Sequence, residues 1–207
     1  MKSIVLSVLK DKYLKKKQNG LEYDEERFRS MYGDFVPSKK DLSYLLNNKR
    51  FSELVSNIHE IHKEGKGILF FGDNKKKIYD ATNFFQTEVC CWGYAQFRTT
   101  LTEILELKYG NARKQEDSRE QKQWERINHS EFLMLDIWMD DFEDKKRLML
   151  IERLVRERLR RTLATVVIVH LPLETIINVS TEDFYSLLME EDEFIIFNSA
   201  KEKFTNE

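Results

Sequence analysis

The sequence predicts an α/β domain: a three-layer, mostly parallel sheet preceded by a helical N-terminal extension. Three observations predict it. Short, wholly apolar runs recur at Ile68–Phe71, Phe132–Leu135, Val166–Val169 and Phe194–Phe197, as in strands buried on both faces. Stretches of helical period lie between most of them. Residues 1–65 have helical spacing and no strand signal. Strands that alternate with helices make a parallel sheet with helices on both sides.

The elements follow in chain order. Ile4, Val5, Val8, Leu9 and Tyr13 space a helix over 3–17, with Ser3 as its N-cap and Lys15-Lys16-Lys17 at the dipole's negative end. Tyr23–Tyr32 is a second amphipathic stretch, and Leu42, Leu45, Leu46, Phe51, Leu54, Val55, Ile58 and Ile61 carry the helical period to Gly65. Residues 1–50 are therefore assigned to the extension and 51–207 to the sheet domain. After the first strand, closed by Gly72, a helix is expected over Lys77–Phe85 and a weaker strand over Thr87–Trp92. Phe97, Leu101, Ile104, Leu105 and Lys108 read as the next helix. Asn111–Lys122 reads as an exposed loop or solvated helix, Asp144–Arg161 as a long Arg-rich helix and Thr181–Met189 as a short one.

Composition narrows the function. Charged residues reach 34%, yet 34 Lys and Arg nearly cancel 36 Asp and Glu, which excludes a polybasic coat or an acidic tail as the whole chain. No apolar run approaches the roughly 18 residues of a membrane span, and Ile4–Leu9 is too short for a signal-peptide core. Cys90 and Cys91 are adjacent, with no ligand or disulfide spacing. A cytoplasmic protein without membrane contact is expected. Only 7 glycines and 2 prolines occur, which leaves little material for a Gly-rich phosphate loop.

Four landmarks in order, the strand closed by Gly72, the strand ending Leu135-Asp136, the Arg-bearing helix and Thr165–Glu174 around His170, resemble a known family. It is the AAA+ domain of DnaC/DnaI-type replicative-helicase loaders and the related IstB proteins. The resemblance spans about residues 50–200 and implies a P-loop NTPase-like fold. Glu64–Gly72 is similar to the strand leading into the family's Walker A loop, and Ala164–Ile176 to its sensor-1 strand and following turn.

The family's chemical motifs match less well. A Walker A loop needs Gly-x-x-x-x-Gly-Lys-Ser/Thr, with glycines for backbone approach, a lysine on the phosphates and a hydroxyl on Mg²⁺. Counted from Gly72, the second glycine is Lys77, the lysine is Ile78 and the hydroxyl residue is Tyr79, while Asp73 adds negative charge. Sliding by one residue makes Lys77 the phosphate lysine, but Lys76 then replaces the glycine and Ile78 brings no metal ligand. Asp136 fills the Walker B metal position, and Ile137 replaces the second acid that would orient water. His170 stands at sensor 1 in place of Asn, Leu187 at the arginine finger, and Lys201 or Lys203 is the nearest cation to the final sensor arginine. The vestigial nucleotide positions are thus Gly72, Lys76, Lys77, Asp136 and His170, and no cofactor is expected, with Mg-ATP the alternative.

Other groupings have plainer explanations beside the functional ones. Asp140, Asp141, Glu143 and Asp144 suit the start of the Arg-rich helix as well as a metal. In that helix Glu152 and Glu157 can pair with Arg156 and Arg161 four residues on. Lys75, Arg156 and Arg160 are the candidate contacts to DNA phosphates, and Trp92, Tyr94 and Phe97 are either packing or a stacking platform for bases. His59 and His62 lack an evident third metal ligand.

The resemblance implies a non-catalytic loader-like protein of DNA replication initiation. Its partner would be a replicative helicase, a helicase loader or an initiator, bound through one face of a side-by-side AAA+ arrangement. A divergent working ATPase using Lys76 or Lys77 with Asp136, and a scaffold in an unrelated complex, stay open beside it.

Overall fold

The computed structural model describes residues 45, 48–110, 119–190 and 193–199. The expected helices over 3–17 and 23–32, nearly all of the 1–50 extension, and Lys201 and Lys203 lie outside them.

Five strands, β1 (Gly67–Phe71), β2 (Gln96–Thr100), β3 (Phe132–Ile137), β4 (Ala164–Val169) and β5 (Phe194–Asn198), form one parallel sheet in the order β2-β3-β4-β1-β5. Every residue of β1, β3 and β4 is buried, which is why these strands are apolar in the sequence apart from Asp136 in β3 and Thr165 in β4. The edge strand β2 is mostly half-buried and reads Gln-Phe-Arg-Thr-Thr.

That edge accounts for two corrections. The strand expected over Thr87–Trp92 is helical: α3 runs Lys75–Cys91, and α1 (Lys49–Ser56) and α2 (Ile58–Glu64) precede it. Residues Thr87–Cys91 are all buried, so the last turn of α3 is covered on every side, and their apolar and β-branched character reports burial and not a strand. The helix expected from Phe97 begins only at Leu101, as α4 (Leu101–Gly110), because Gln96–Thr100 pairs with β3. Three further helices go beyond the sequence expectation: α5 (Arg119–His129), the short α6 (Met139–Phe142) and α8 (Leu173–Val179). The expected α7 (Lys145–Arg160) and α9 (Glu182–Leu188) form with ends one residue inside the expected ones.

Two apolar cores sandwich the sheet. One joins α1, α2 and α3 to the side chains of Ile68, Phe70, Met134, Val166 and Ile168; Phe51 meets Phe84 and Phe197 edge-on at 5.7 and 5.6 Å. The other joins α4, α5, α7, α8 and α9 to Leu69, Leu133, Leu135 and Val167. Burying each of these aliphatic or aromatic side chains contributes about 1.5–3 kcal/mol. Because all strands are parallel, their C-terminal ends gather along one edge, the usual place for ligands in an open α/β sheet.

The cap chemistry is local. Asn48 Oδ1 accepts from Phe51 N–H at 2.8 Å at the start of α1, and Asp144 Oδ1 from Lys146 N–H at 2.8 Å at the start of α7. Asp141 Oδ2 accepts from Trp138 N–H at 2.9 Å, and Arg147 lies 3.5 Å from Asp141 and 3.7 Å from Asp144. Both acids therefore serve the entry to α6 and α7.

Arg158 departs from the solvated role expected of the Arg-rich helix, for it is fully buried. Its guanidinium donates to the carbonyls of Ile127 (2.7 Å), Ser130 (2.8 Å) and Ala164 (3.0 Å) and to Thr165 Oγ1 (3.1 Å). Burial lowers its pKa to about 10, so it stays charged at neutral pH. One side chain thus ties the end of α5 to the start of β4.

Candidate functional site

Asp136 points from β3 toward the face that α3 covers, as do Arg98 on β2 and His170 after β4. The register explains it: Arg98 pairs with Met134, two residues before Asp136, and Ile168, two before His170, pairs with Asp136. Arg98 Nε donates to Asp136 Oδ2 at 2.6 Å and Nη2 to Oδ1 at 2.9 Å, while Nη1 donates to Asn83 Oδ1 of α3 at 2.8 Å. His170 Nε2 donates to Asp136 Oδ1 at 3.1 Å. Both carboxylate oxygens are engaged. Burial pushes the Asp136 carboxyl up, but the hydrogen bonds from His170 and Arg98, and their charges, outweigh it and hold it below the ordinary carboxylate range.

Trp138 completes the cluster. Its ring lies parallel to His170, 3.9 Å between centroids and 6° between planes, and Lys75 Nζ is 5.9 Å from its centroid. Trp138 remains 42% exposed, so the cluster reaches the surface.

The segment from β1 to α3 is short. Only Gly72, Asp73 and Asn74 lie between Phe71 and the first helical residue, Lys75. Asn74 Oδ1 caps α3 by accepting from Lys77 N–H at 3.0 Å, and Gly72 N–H donates to the Leu171 carbonyl at 3.0 Å. Gly72 has φ +148°, and a Cβ there would come within 1.9 Å of Ser199 Oγ. Lys76 and Lys77 sit in the first helical turn, and Ile78 is fully buried in the core.

The structure brings together Gly72, Lys75, Asp136 and His170 at the C-terminal edge of the sheet. It separates Lys75 from the other two expected DNA contacts, because Arg156 and Arg160 lie toward the end of α7, which leads to the opposite edge. Leu187 is buried in the second core. Trp92 and Tyr94 follow a helix, not a strand, and are buried, with Tyr94 OH 2.6 Å from His59 Nδ1. His62 Nε2 instead faces Glu131 Oε1 at 3.0 Å. The Glu152–Arg156 pair forms at 2.9 Å, whereas Arg161 reaches His129 Nδ1 at 3.1 Å. No group of three or more His, Cys, Asp or Glu placed to hold a metal ion occurs among the described residues. None of their helices is long and apolar enough to cross a membrane.

Sequence reasoning missed Arg98 and Trp138. The available signal was an arginine in a β-rich pentapeptide with an aspartate ending the next apolar strand.

No protein-family model and no curated protein sequence matches the chain. Solved structures do. DnaA from Aquifex aeolicus bound to AMPPCP superposes with a TM-score of 0.54 at 10% identity, over 70% of this chain and 44% of that one. A replication initiator DnaA bound to AMPPCP and single-stranded DNA gives 0.53 at 11%, over 73% and 46%. A DNA replication initiation factor gives 0.52 at 12%, over 88% and 50%. The chain thus spans half or less of the length of these proteins.

Proposed function

We propose, on the premise of the P-loop NTPase-like, AAA+-type fold that the similar structures share, that the chain is a non-catalytic, loader-like member of the replication-initiation machinery. It binds a replicative helicase, a helicase loader or an initiator and does not turn over ATP. The observation that carries this reading is the bidentate Arg98–Asp136 pair. In a working Walker B strand that carboxylate serves the metal; here a guanidinium occupies both of its oxygens, with His170 on one of them. The residues present do not fit Mg-ATP. The three-residue Gly72–Asn74 connection is shorter than a phosphate-wrapping loop, Gly72 N–H is committed to Leu171, and Ile78 and Tyr79 stand where a lysine and a serine or threonine are needed. The similarity in fold to replication initiators supports the cellular context, and the DnaC/IstB-like sequence landmarks support the loader-like character.

Two measurements test it. A ligand at 100 times its Kd stabilises a protein by about 2.7 kcal/mol; thermal unfolding with and without Mg-ATP is expected to coincide, and a clear rise together with phosphate release from ATP would establish the divergent ATPase instead. Affinity capture from cells, read by mass spectrometry, is expected to return a helicase, loader or initiator. An unrelated assembly would establish the scaffold reading.

A further inference from the structure

β2 is the outermost strand on its side of the sheet, with β3 as its neighbour. Phe132 N–H donates to the Ala95 carbonyl at 3.0 Å. The alternation of a parallel ladder then turns the backbone groups of Phe97 and Thr99 toward β3 and those of Gln96 and Arg98 outward. No described residue hydrogen-bonds the backbone N–H or C=O of Gln96 or Arg98, whereas Thr100 N–H, further along, is closed off by Glu103 Oε2 at 2.9 Å. Proteins blunt such edges with Pro, Lys or a bulge. β2 has none of these, and its one charge, Arg98, is turned in onto Asp136.

The start of this open edge is the floor of a cleft of about 460 Å³, made by Tyr94, Ala95, Gln96 and Phe97. Cys90, at the end of α3, stands on one side; Glu125, Arg126 and His129, from the last turns of α5, stand on the other. α3 belongs to the first core and α5 to the second, so the cleft straddles the edge of the sheet between helices of opposite faces. Its rim is basic. Arg126 and the exposed Arg161 have no carboxylate within ion-pair distance among the described residues, and Arg161 instead meets His129 at 3.1 Å. Glu125 is the acid among the lining residues; Glu131 nearby is spent on Ala95 N–H at 2.6 Å and His62 at 3.0 Å.

We propose that the open edge of β2 is a strand-addition site for an extended, acidic peptide segment of a partner protein. The segment pairs with Gln96 and Arg98 through its main chain, sets one side chain in the cleft and brings a carboxylate to Arg126. Main-chain pairing supplies affinity in this mode, and the side-chain pocket supplies specificity. Charge complementarity with Arg126, His129 and Arg161 selects an acidic segment. Helices on both sides of the floor admit a bare strand and obstruct the broad edge of a second folded copy. The site uses the backbone of Arg98 and leaves its side-chain pairing with Asp136 intact, so it stands whether or not the replication reading does.

The test selects a random library of phage-displayed hexapeptides on the full chain, then measures a fluorescein-labelled selected peptide by anisotropy. Expected are acid-containing peptides whose N-methylation weakens binding at every second position only, because an added strand turns alternate N–H groups to the edge. Gln96→Pro removes an outward N–H without touching the ladder to β3; it keeps cooperative unfolding and weakens binding about tenfold or more. Arg126→Glu weakens binding about tenfold, by a factor that shrinks as salt is raised. If Gln96→Pro does not fold, the N-methyl series decides, since it leaves the protein untouched. Four outcomes overturn the proposal: no binder from the library, N-methyl losses without a two-residue period, unchanged binding by the Arg126→Glu variant, or a dimer in sedimentation that Gln96→Pro dissociates. The last would make a second copy the occupant of the edge.

Discussion

Arg98 Nε and Nη2 meet the two carboxylate oxygens of Asp136 at 2.6 and 2.9 Å, joining the edge strand to its neighbour at the place where the sheet would otherwise present a bare acid. Asp136 is 6% exposed. Removing one member of a buried pair costs about 3–5 kcal/mol, because the other charge is left uncompensated. Arg98→Met is expected to lose stability near the lower end of that range, since the Arg98 side chain is 20% exposed. Arg98→Met with Asp136→Leu should recover much of the loss. Urea unfolding of the two single variants and the double variant measures the coupling; additive losses would show that the pair is not a unit.

The pH dependence divides into two windows. His59 is held below the ordinary histidine range by burial first, and by the nearby His62. A histidine that protonates more readily unfolded than folded draws the chain toward unfolding as pH falls below about 6.5. Stability should therefore decline from pH about 7 downward until the lowered folded value is passed. Asp136, with its lowered value, contributes stability that is complete above the ordinary carboxylate pKa of about 3.9 and is lost only below it. Melting temperature against pH for His59→Asn should lose the upper decline and keep the acid one, with Asp136→Asn showing the converse.

Arg158 is expected to be more sensitive than any exposed arginine of α7. Arg158→Leu strands the carbonyls of Ile127, Ser130 and Ala164, each worth about 1–3 kcal/mol when buried without a partner. A loss of about 3 kcal/mol or more is expected. Arg158→Lys should rescue little, because an ammonium has no planar fork to reach all three. Arg153→Leu, on the exposed face of the same helix, should change stability by less than about 0.5 kcal/mol. Chemical denaturation of the three variants compares them directly.

Gly72→Ala places a methyl group 1.9 Å from Ser199 Oγ and asks an L-residue to hold φ +148°. A loss of about 2 kcal/mol or more is expected. Gly72→Ala with Ser199→Gly should restore only the steric share, leaving the backbone strain visible in the unfolding curve.

Sequence pattern and structure agree where a strand carries an unbroken apolar run. The fully buried β1, β3 and β4, and also the edge strand β5, half-buried at Ile195 and Ile196, are legible because Ile68–Phe71, Phe132–Leu135, Val166–Val169 and Phe194–Phe197 contain nothing but apolar side chains. β2 is hidden because an edge strand buries less, and because Phe97 continues the helical period of Leu101, Ile104 and Leu105. Thr87–Cys91 misleads for the opposite reason: a buried helix segment of nine-tenths hidden side chains has the composition of a strand. At the site, Asp136 and His170 are visible as strand-end residues. Arg98 is not, because its partnership depends on which strand lies beside which, and strand order is a property of the whole chain.

Cys90 and Cys91 are adjacent at the end of α3, neither in a disulfide, and are 7% and 0% exposed. Cys91 is sealed in the first core, whereas Cys90 borders the cleft at the start of β2. The chain therefore carries two native reporters. Alkylation of Cys91 clocks global opening, while slower labelling of Cys90 on adding a ligand would register occupancy next to it without any engineered probe.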